Sequence, residues 1–311
     1  MTFFTGSSEL KRIGALIAAH AAPIYAARGI PFEQFAYVLT QPNPEGGKPG
    51  GAALRADWRC YPCSLVKVFH LVAAQMRLED GQLSAHSELE RAMRDMILWS
   101  SNSATNYIID LLTGTTGDTL LDDQAMTAWR ERREEINRIF AALDWAELEG
   151  INLNQKLMDD LRYGREKLAL DHSPGGHNCL TPIAMARLMH EIFGDTMILS
   201  TGRCLIVRNH LARDPQSPYR VRGAYQLSGY LGDALPDGTQ IWSKAGRTRW
   251  LGDERASFRR HDTLRAILPA GQEFVLTVFT QGESIAEDDS FLPGIGALVA
   301  TAMSTLAHEA H

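Results

Sequence analysis

Ser64-Leu65-Val66-Lys67 sets a hydroxyl and an amine three residues apart. On a helix, side chains with that spacing share one face. A serine hydroxyl is a weak nucleophile until a base takes its proton. A neighbouring lysine serves as that base once desolvation or nearby positive charge lowers its pKa. An isolated pair of this kind recurs by chance, and its plain alternative is a capping serine with a surface lysine. The setting here favours chemistry, because Tyr61-Pro62 stands before the serine and a strongly apolar helix follows it.

Two further segments carry polar groups in suggestive order. Ser100-Ser101-Asn102 precedes an apolar stretch and can point Ser100 and Asn102 into a cleft. Ser100 would relay a proton to a leaving group, and Asn102 would hold a substrate amide and the Lys67 ammonium. The alternative is simple capping of the helix that begins near Ala104. Ser243-Lys244-Ala245-Gly246 lies on a β-run. Its lysine offers positive charge to an anionic substrate, and its glycine lets a substrate backbone come close. The competing reading is an edge-strand lysine that blocks aggregation.

The elements that must position these groups follow from periodicity. Ser8 to Ala27 reads as a helix, with apolar residues at Leu10, Ile13, Leu16, Ile17 and Ala21. Phe35 to Leu39 and Ala52 to Asp57 read as strands around a Pro- and Gly-rich loop. Ser64 to Leu78 is helical and Gly81 closes it; Leu89–Trp99, Ala104–Leu112, Gln124–Leu143 and Pro182–Phe193 are helical too. Arg130 to Glu135 is a mixed-charge run, read as a solvated helix face. Residues 150–179 look like loop. Gln240–Lys244, Leu264–Leu268 and Phe274–Thr280 are short strands, and Asp289–Ala307 is a last apolar helix.

That order predicts an α+β fold. An antiparallel sheet is flanked by the N- and C-terminal helices, and an all-helical block is inserted within it. The expected organisation is one domain over 1–311, with 1–60 and 220–311 forming an α/β part and 61–219 a helical part.

Composition narrows the partners. The 311 residues are 45% hydrophobic and 22% charged with a formal net charge of -6, the balance of an ordinary globular protein. No basic stripe for nucleic acid is present, and no apolar run approaches the roughly 20 residues of a membrane span. Lys11-Arg12 before Ile13–Ala19 faintly suggests a leader, but His20 and Pro23 interrupt it. The expectation is a cytoplasmic chain, or a periplasmic or secreted one without its leader. Cys60-x-x-Cys63 lacks a second pair and carries Pro62 inside, so the four cysteines read as free thiols. Ten histidines show no metal-binding spacing; His70 reads as a core histidine, and neighbouring His261 and Asp262 point to opposite strand faces. No metal or cofactor is expected, and the partner is a small molecule.

Taken together and in order, S-x-x-K, S-x-N and K-x-G resemble the motif set of class A β-lactamases and penicillin-binding proteins. Thr181-Pro182-Ile183-Ala184-Met185-Ala186 resembles the helix after that family's omega loop. The resemblance implies that Ser64 is acylated and that Lys67 takes its proton. It implies an oxyanion held by the amides of Ser64 and Arg247, and leaving-group protonation by Ser100 and Lys244. Asn102, Ser243, Ala245, Gly246 and Arg247 would touch substrate. Glu166, 15 residues before Thr181, is the nearest match to the deacylating glutamate, although the family's Leu-Asn does not follow it. Ser101 replaces the usual Asp, and Ala245 the usual Thr or Ser; Ser243, Arg247, Thr248 or Arg249 would then receive a carboxylate. The implied activity is hydrolysis of a β-lactam or related cyclic amide. The alternatives are an esterase or amidase on the same scaffold, and a slowly deacylating or non-catalytic binder.

Overall fold

The computed structural model describes residues 2–158, 162–172, 176–194 and 198–309. Its strands are β1 (Thr5–Gly6), β2 (Phe35–Gln41), β3 (Gly50–Leu54), β4 (Ala212–Arg213), β5 (Gln240–Arg247), β6 (Arg260–Ile267) and β7 (Glu273–Thr280). Among the described residues they form one seven-stranded sheet in the order β1-β3-β2-β7-β6-β5-β4, antiparallel except for β1 beside β3. The helices are α1 (Ser8–Ala27), α2 (Val66–Glu79), α3 (Ser87–Leu98), α4 (Asn102–Thr113), α5 (Asp123–Arg133), α6 (Glu135–Ala141), α7 (Gly164–His172), α8 (Pro182–Phe193), α9 (Thr201–Leu211), α10 (Glu283–Ala286) and α11 (Phe291–Glu309). This is the α+β class expected from the sequence. No helix among the described residues is long and apolar enough to cross a membrane.

The sheet is covered on both faces, which explains why β2 and β7 are near-continuous apolar runs rather than alternating ones. On one face Leu10, Ile13, Ile17 and Tyr25 of α1 meet Phe291, Leu292, Ile295 and Val299 of α11 over Leu264, Leu276 and Val278. The opposite face carries the helical block, centred on α2: Val68, Phe69, Leu71 and Val72 pack with Met96, Ile108, Phe140 and Met185. Helix α2 is therefore buried all round, unlike the amphipathic α3.

Several elements differ from expectation. The single helix over Gln124–Leu143 is two, with Glu134 closing α5 and opening α6. The loop over 150–179 contains α7, whose Arg165 is held by the carbonyls of Thr116 and Thr119. Within that stretch, residues 159–161 and 173–175 lie outside the described residues. Helix α9 and the two-residue β4 and β1 have too weak a period to be read from sequence. The charge run over Arg130–Glu135 is not all solvated, since Arg133 is buried.

Candidate active site

From Cys60 to Gln75 every residue is buried except Ser64. Ser64 lies in a tight 3₁₀ turn, Cys63–Leu65, that feeds straight into α2. Cys63 before it has φ +51°, a left-handed conformation a side chain rarely adopts. Such strain costs on the order of 1–3 kcal/mol and persists where packing over-determines it. Here Pro62 and the apolar flank of α2 fix the turn, so the Ser64 side chain alone emerges.

The neighbouring strand completes the turn's surroundings. A Cβ on Gly246 would sit 2.5 Å from Ser64 N and 2.6 Å from Cys63 Cβ, so only glycine permits β5 to lie this close. Strand β4 pairs only with Ile241 and Trp242, which leaves the outer edge of β5 from Ser243 onward without a strand partner among the described residues. Thr248 N donates to Arg259 O across the β5–β6 ladder. Antiparallel ladders alternate, so the Arg247 amide faces the open edge instead. The close approach of Gly246 to Ser64 N thereby brings the Arg247 amide, one residue on, towards the Ser64 turn.

Lys67 is fully buried one turn along. Its Nζ donates to Ser100 O at 2.5 Å, to Ser100 Oγ at 3.2 Å and to Asn102 Oδ1 at 2.8 Å. Lys244 Nζ donates to the same Ser100 Oγ at 3.0 Å, to Ala245 O at 2.7 Å and to Gln226 Oε1. A single hydroxyl thus bridges two buried amines. Burial first, and then the charge of Lys67, pulls Lys244 well below the ordinary lysine pKa. Two ammonium groups on one hydroxyl repel each other, so the pair gives up a proton more readily than separate lysines.

Ser100 reaches this position through φ +53° at the junction of α3 and α4. Ser101 caps α4, its Oγ accepting from Ala104 N at 3.2 Å. An Asp and a Ser serve equally well there, which accounts for the departure from the family pattern at 101. The capping reading therefore holds for Ser101, while Ser100 and Asn102 turn to the lysines. One and two turns further along α4, Asn106 clamps both backbone groups of Leu157 at 2.7 and 2.9 Å, and Asp110 receives Lys156 at 2.8 Å. This face of α4 fixes the segment that walls the site.

Two expected substrate contacts need correction. Lys244 and Gly246 face the helical block, so alternation turns Ser243 and Ala245 to the other face. Ala245 is buried in the core beneath α1 and α11, and Ser243 lies opposite Leu264 of that core. Neither side chain faces the helical block, and position 245 lies opposite the buried Asp262 on the neighbouring strand.

Glu166 also sits differently. It is buried, and both its oxygens receive Arg133, at 2.7 and 3.1 Å. Arg133 Nε also donates to Thr115 Oγ1 at 2.9 Å, and its guanidinium stacks on Trp129. A small cavity beside the pair is lined by Trp129, Asn154 and Leu170, and by none of the lysines or serines of the cleft. Glu166 thus ties α7 to α5. Glu166→Gln is expected to lower stability by about 3 kcal/mol, since breaking a buried pair strands the other charge. Urea unfolding measures this; unchanged stability with an accumulating acyl adduct would make Glu166 the hydrolytic base instead.

The remaining titratable groups behave as core. His70 Nε2 donates to Leu153 O at 2.8 Å, and burial lowers its pKa to about 4. His261 stacks on Phe279 while Asp262 accepts from Leu231 N at 2.9 Å on the opposite face, so the two form no dyad. The four thiols are free, and burial pushes Cys63 up to about 12. Gln226 was not legible as a site residue: it holds Lys244 from a left-handed turn, φ +56°, outside any motif.

Comparison with known proteins bears on the fold and the family. A β-lactamase from Xanthomonas campestris pv. campestris superposes with a TM-score of 0.62 at 16% identity, covering 93% of this chain and 98% of that one. One from Sphaerobacter thermophilus gives 0.61 at 18% identity, covering 96% and 97%. An ancestral Gram-negative class A β-lactamase gives 0.58 at 17% identity, covering 92% and 99%. These likenesses establish the fold. No curated protein sequence matches significantly. The model of the beta-lactamase enzyme family matches residues 85–303, more than two thirds of the chain; the matched stretch holds Ser100, Asn102 and Lys244 and begins after Ser64 and Lys67. The chain belongs to the beta-lactamase enzyme family, and is a β-lactamase-like serine hydrolase.

Proposed function

We propose that this hydrolase works through an acyl-enzyme on Ser64 and opens a β-lactam or a related cyclic amide. The observation that carries the reading is the accessible Ser64 in an otherwise buried turn, next to the Lys67–Ser100–Lys244 chain. Ser64 Oγ attacks the carbonyl carbon and its proton passes to Lys67. The developing oxyanion lies between the amides of Ser64 and Arg247; preorganised donors of this kind contribute about 3–4 kcal/mol each. The C–N bond then breaks, and the leaving nitrogen takes the Ser100 proton, which Lys244 replaces. Water finally cleaves the Ser64 ester and restores the hydroxyl.

The Arg133–Glu166 pair supports a second reading, slow deacylation, because it occupies the glutamate nearest the expected hydrolytic position. The test is parallel turnover of a chromogenic cephalosporin and a p-nitrophenyl ester. Multiple turnovers of the cephalosporin support the first reading. One stoichiometric burst without further turnover supports the second. Turnover of the ester alone moves the assignment to an esterase on this scaffold.

A further inference from the structure

A second cavity, of about 490 Å³, lies between the sheet and the last turn of α8, and none of Ser64, Lys67, Ser100 or Lys244 lines it. Its floor is a row across three strands: Thr40 of β2 pairs with Val275 of β7, which pairs with Arg265 of β6. Residues paired in register point to one face. Val275 belongs to the core of the helical block, so the whole row faces α8. His190 and Phe193 of α8, with Phe3, line the other side. The loop between β2 and β3 closes one flank, bent at Gly46 and Gly47, whose φ values are +83° and +86°. The size falls within the ~300–1,000 Å³ of small-molecule sites.

The charges of the wall do not cancel. Arg187 pairs with Glu191 at 2.7 Å, and Arg265 with Glu273 at 2.7 Å. Both guanidiniums are also fixed by rings: Arg187 lies over Phe3 and Trp145, and Arg265 over Phe193 and Trp242. The two carboxylates are therefore taken. Lys48 is the third cation, and it has no carboxylate partner among the described residues. Its Nζ donates to Thr2 O at 3.0 Å, which leaves two of its three N–H groups for another acceptor.

Further polar groups of the wall lack partners. Arg187 Nε is buried with no acceptor among the described residues. Thr40 is 2% exposed, and its hydroxyl makes no hydrogen bond among them. Buried polar groups are normally satisfied, so a hydroxyl left over on a cavity floor points to a partner that arrives with a ligand. Burial, and then the charge of Arg187, lowers the His190 pKa, so its imidazole adds one donor and one acceptor rather than a charge. Phe3, Phe193 and Val275 supply apolar surface beside these groups.

We infer that this cavity is an accessory binding site for a small organic monoanion, a carboxylate carried on an apolar or aromatic body. The surplus of one cation over two carboxylates sets the charge. The carboxylate meets Lys48 and the Thr40 hydroxyl, and the body lies against Phe3, Phe193 and Val275. The site needs nothing from the chemistry at Ser64 and stands whether or not that serine is acylated.

The probe is 2-naphthoate, with 2-naphthalenemethanol as its uncharged counterpart. Both are titrated into the native protein, Lys48→Ala and Thr40→Val, with affinity read by calorimetry and location by amide chemical shifts. The acid is expected to bind the native protein at least tenfold more tightly than the alcohol. Its shifts should cluster at residues 40–48 and 187–194. Lys48→Ala, an exposed position where folding is not at stake, should weaken the acid about tenfold and leave the alcohol unchanged, the worth of one charge-assisted contact. Thr40→Val should weaken the acid severalfold, with circular dichroism to show that the fold is kept. Absence of saturable binding, shifts confined to residues 226 and 243–249 of the catalytic cleft, or an acid affinity untouched by Lys48→Ala would each overturn the site.

Discussion

Lys67→Ala is expected to slow acylation of Ser64 by about 10³-fold, within the range a positioned general base contributes. The size follows from burial and wiring. Lys67 is fully enclosed and contacts Ser100 through both backbone oxygen and hydroxyl. Without it, the Ser64 proton loses its local acceptor and Ser100 loses one of its two amines. Lys67→Arg should not restore the rate, because a guanidinium stays protonated and cannot act as base. Removing Lys67 also removes a positive charge that depresses Lys244. The Lys244 pKa therefore rises in the variant, and residual acylation that depends on neutral Lys244 shifts to higher pH. Stopped-flow acylation across pH measures both effects, with circular dichroism to show that the fold survives. A rate within tenfold of the native value, with an unmoved pH profile, would remove Lys67 from the proton path.

Gly246→Ala is expected to lower kcat by about 10²–10³-fold, the loss seen when one oxyanion donor is displaced. The added carbon meets Ser64 N at 2.5 Å and Cys63 Cβ at 2.6 Å. Neither atom is the tip of a flexible side chain, so the turn or the strand must move. Either movement displaces the Ser64 amide relative to that of Arg247. The effect belongs in kcat more than in KM, because the donors act on charge that develops in the transition state. Steady-state kinetics on any turned-over substrate separates the two parameters. A variant that raised KM alone would place Gly246 in binding only.

The sequence made the chemistry legible where spacing and chemistry coincide. Ser64 and Lys67 share a helical face because they are three apart, and the structure buries the lysine beside the partly exposed serine. Ser100 and Asn102 both reach Lys67, and Lys244 reaches Ser100, as their order implied. Reading the K-x-G run as a motif rather than as a strand misplaced Ser243 and Ala245. Strand alternation already required them to face away once Lys244 faced in. Glu166 was judged by its distance from Thr181, while its partner Arg133 lay hidden in a charge run that resembled a solvated face. Burial of one arginine out of six charged neighbours depends on how α5 meets α7, which local pattern does not encode.

Backbone strain was the least legible feature. Cys63, Ser100 and Gln226 all adopt left-handed conformations beside the site, and none is a glycine that would have announced it. Each is forced by packing between distant segments: the turn against β5, the α3–α4 junction, and the segment that crosses Lys244. Gln226 escaped notice for that reason, although it contacts the lysine directly. The elements of long period, α1, α2, α8 and the strands β2 and β7, were recovered because their apolar residues repeat at helical or strand spacing over many turns. Helix α9 has mostly exposed or half-buried residues around Cys204, Val207 and Leu211, and so offered little signal.

The most direct test of the account is to locate the covalent adduct. The native protein and Ser64→Ala are incubated with a chromogenic cephalosporin, quenched in acid within the turnover time and measured by intact mass and peptide mapping. The account predicts an adduct on the peptide containing Ser64 in the native protein, and neither adduct nor turnover in Ser64→Ala. Turnover that persists in Ser64→Ala, or an adduct that maps to any other residue, would contradict it.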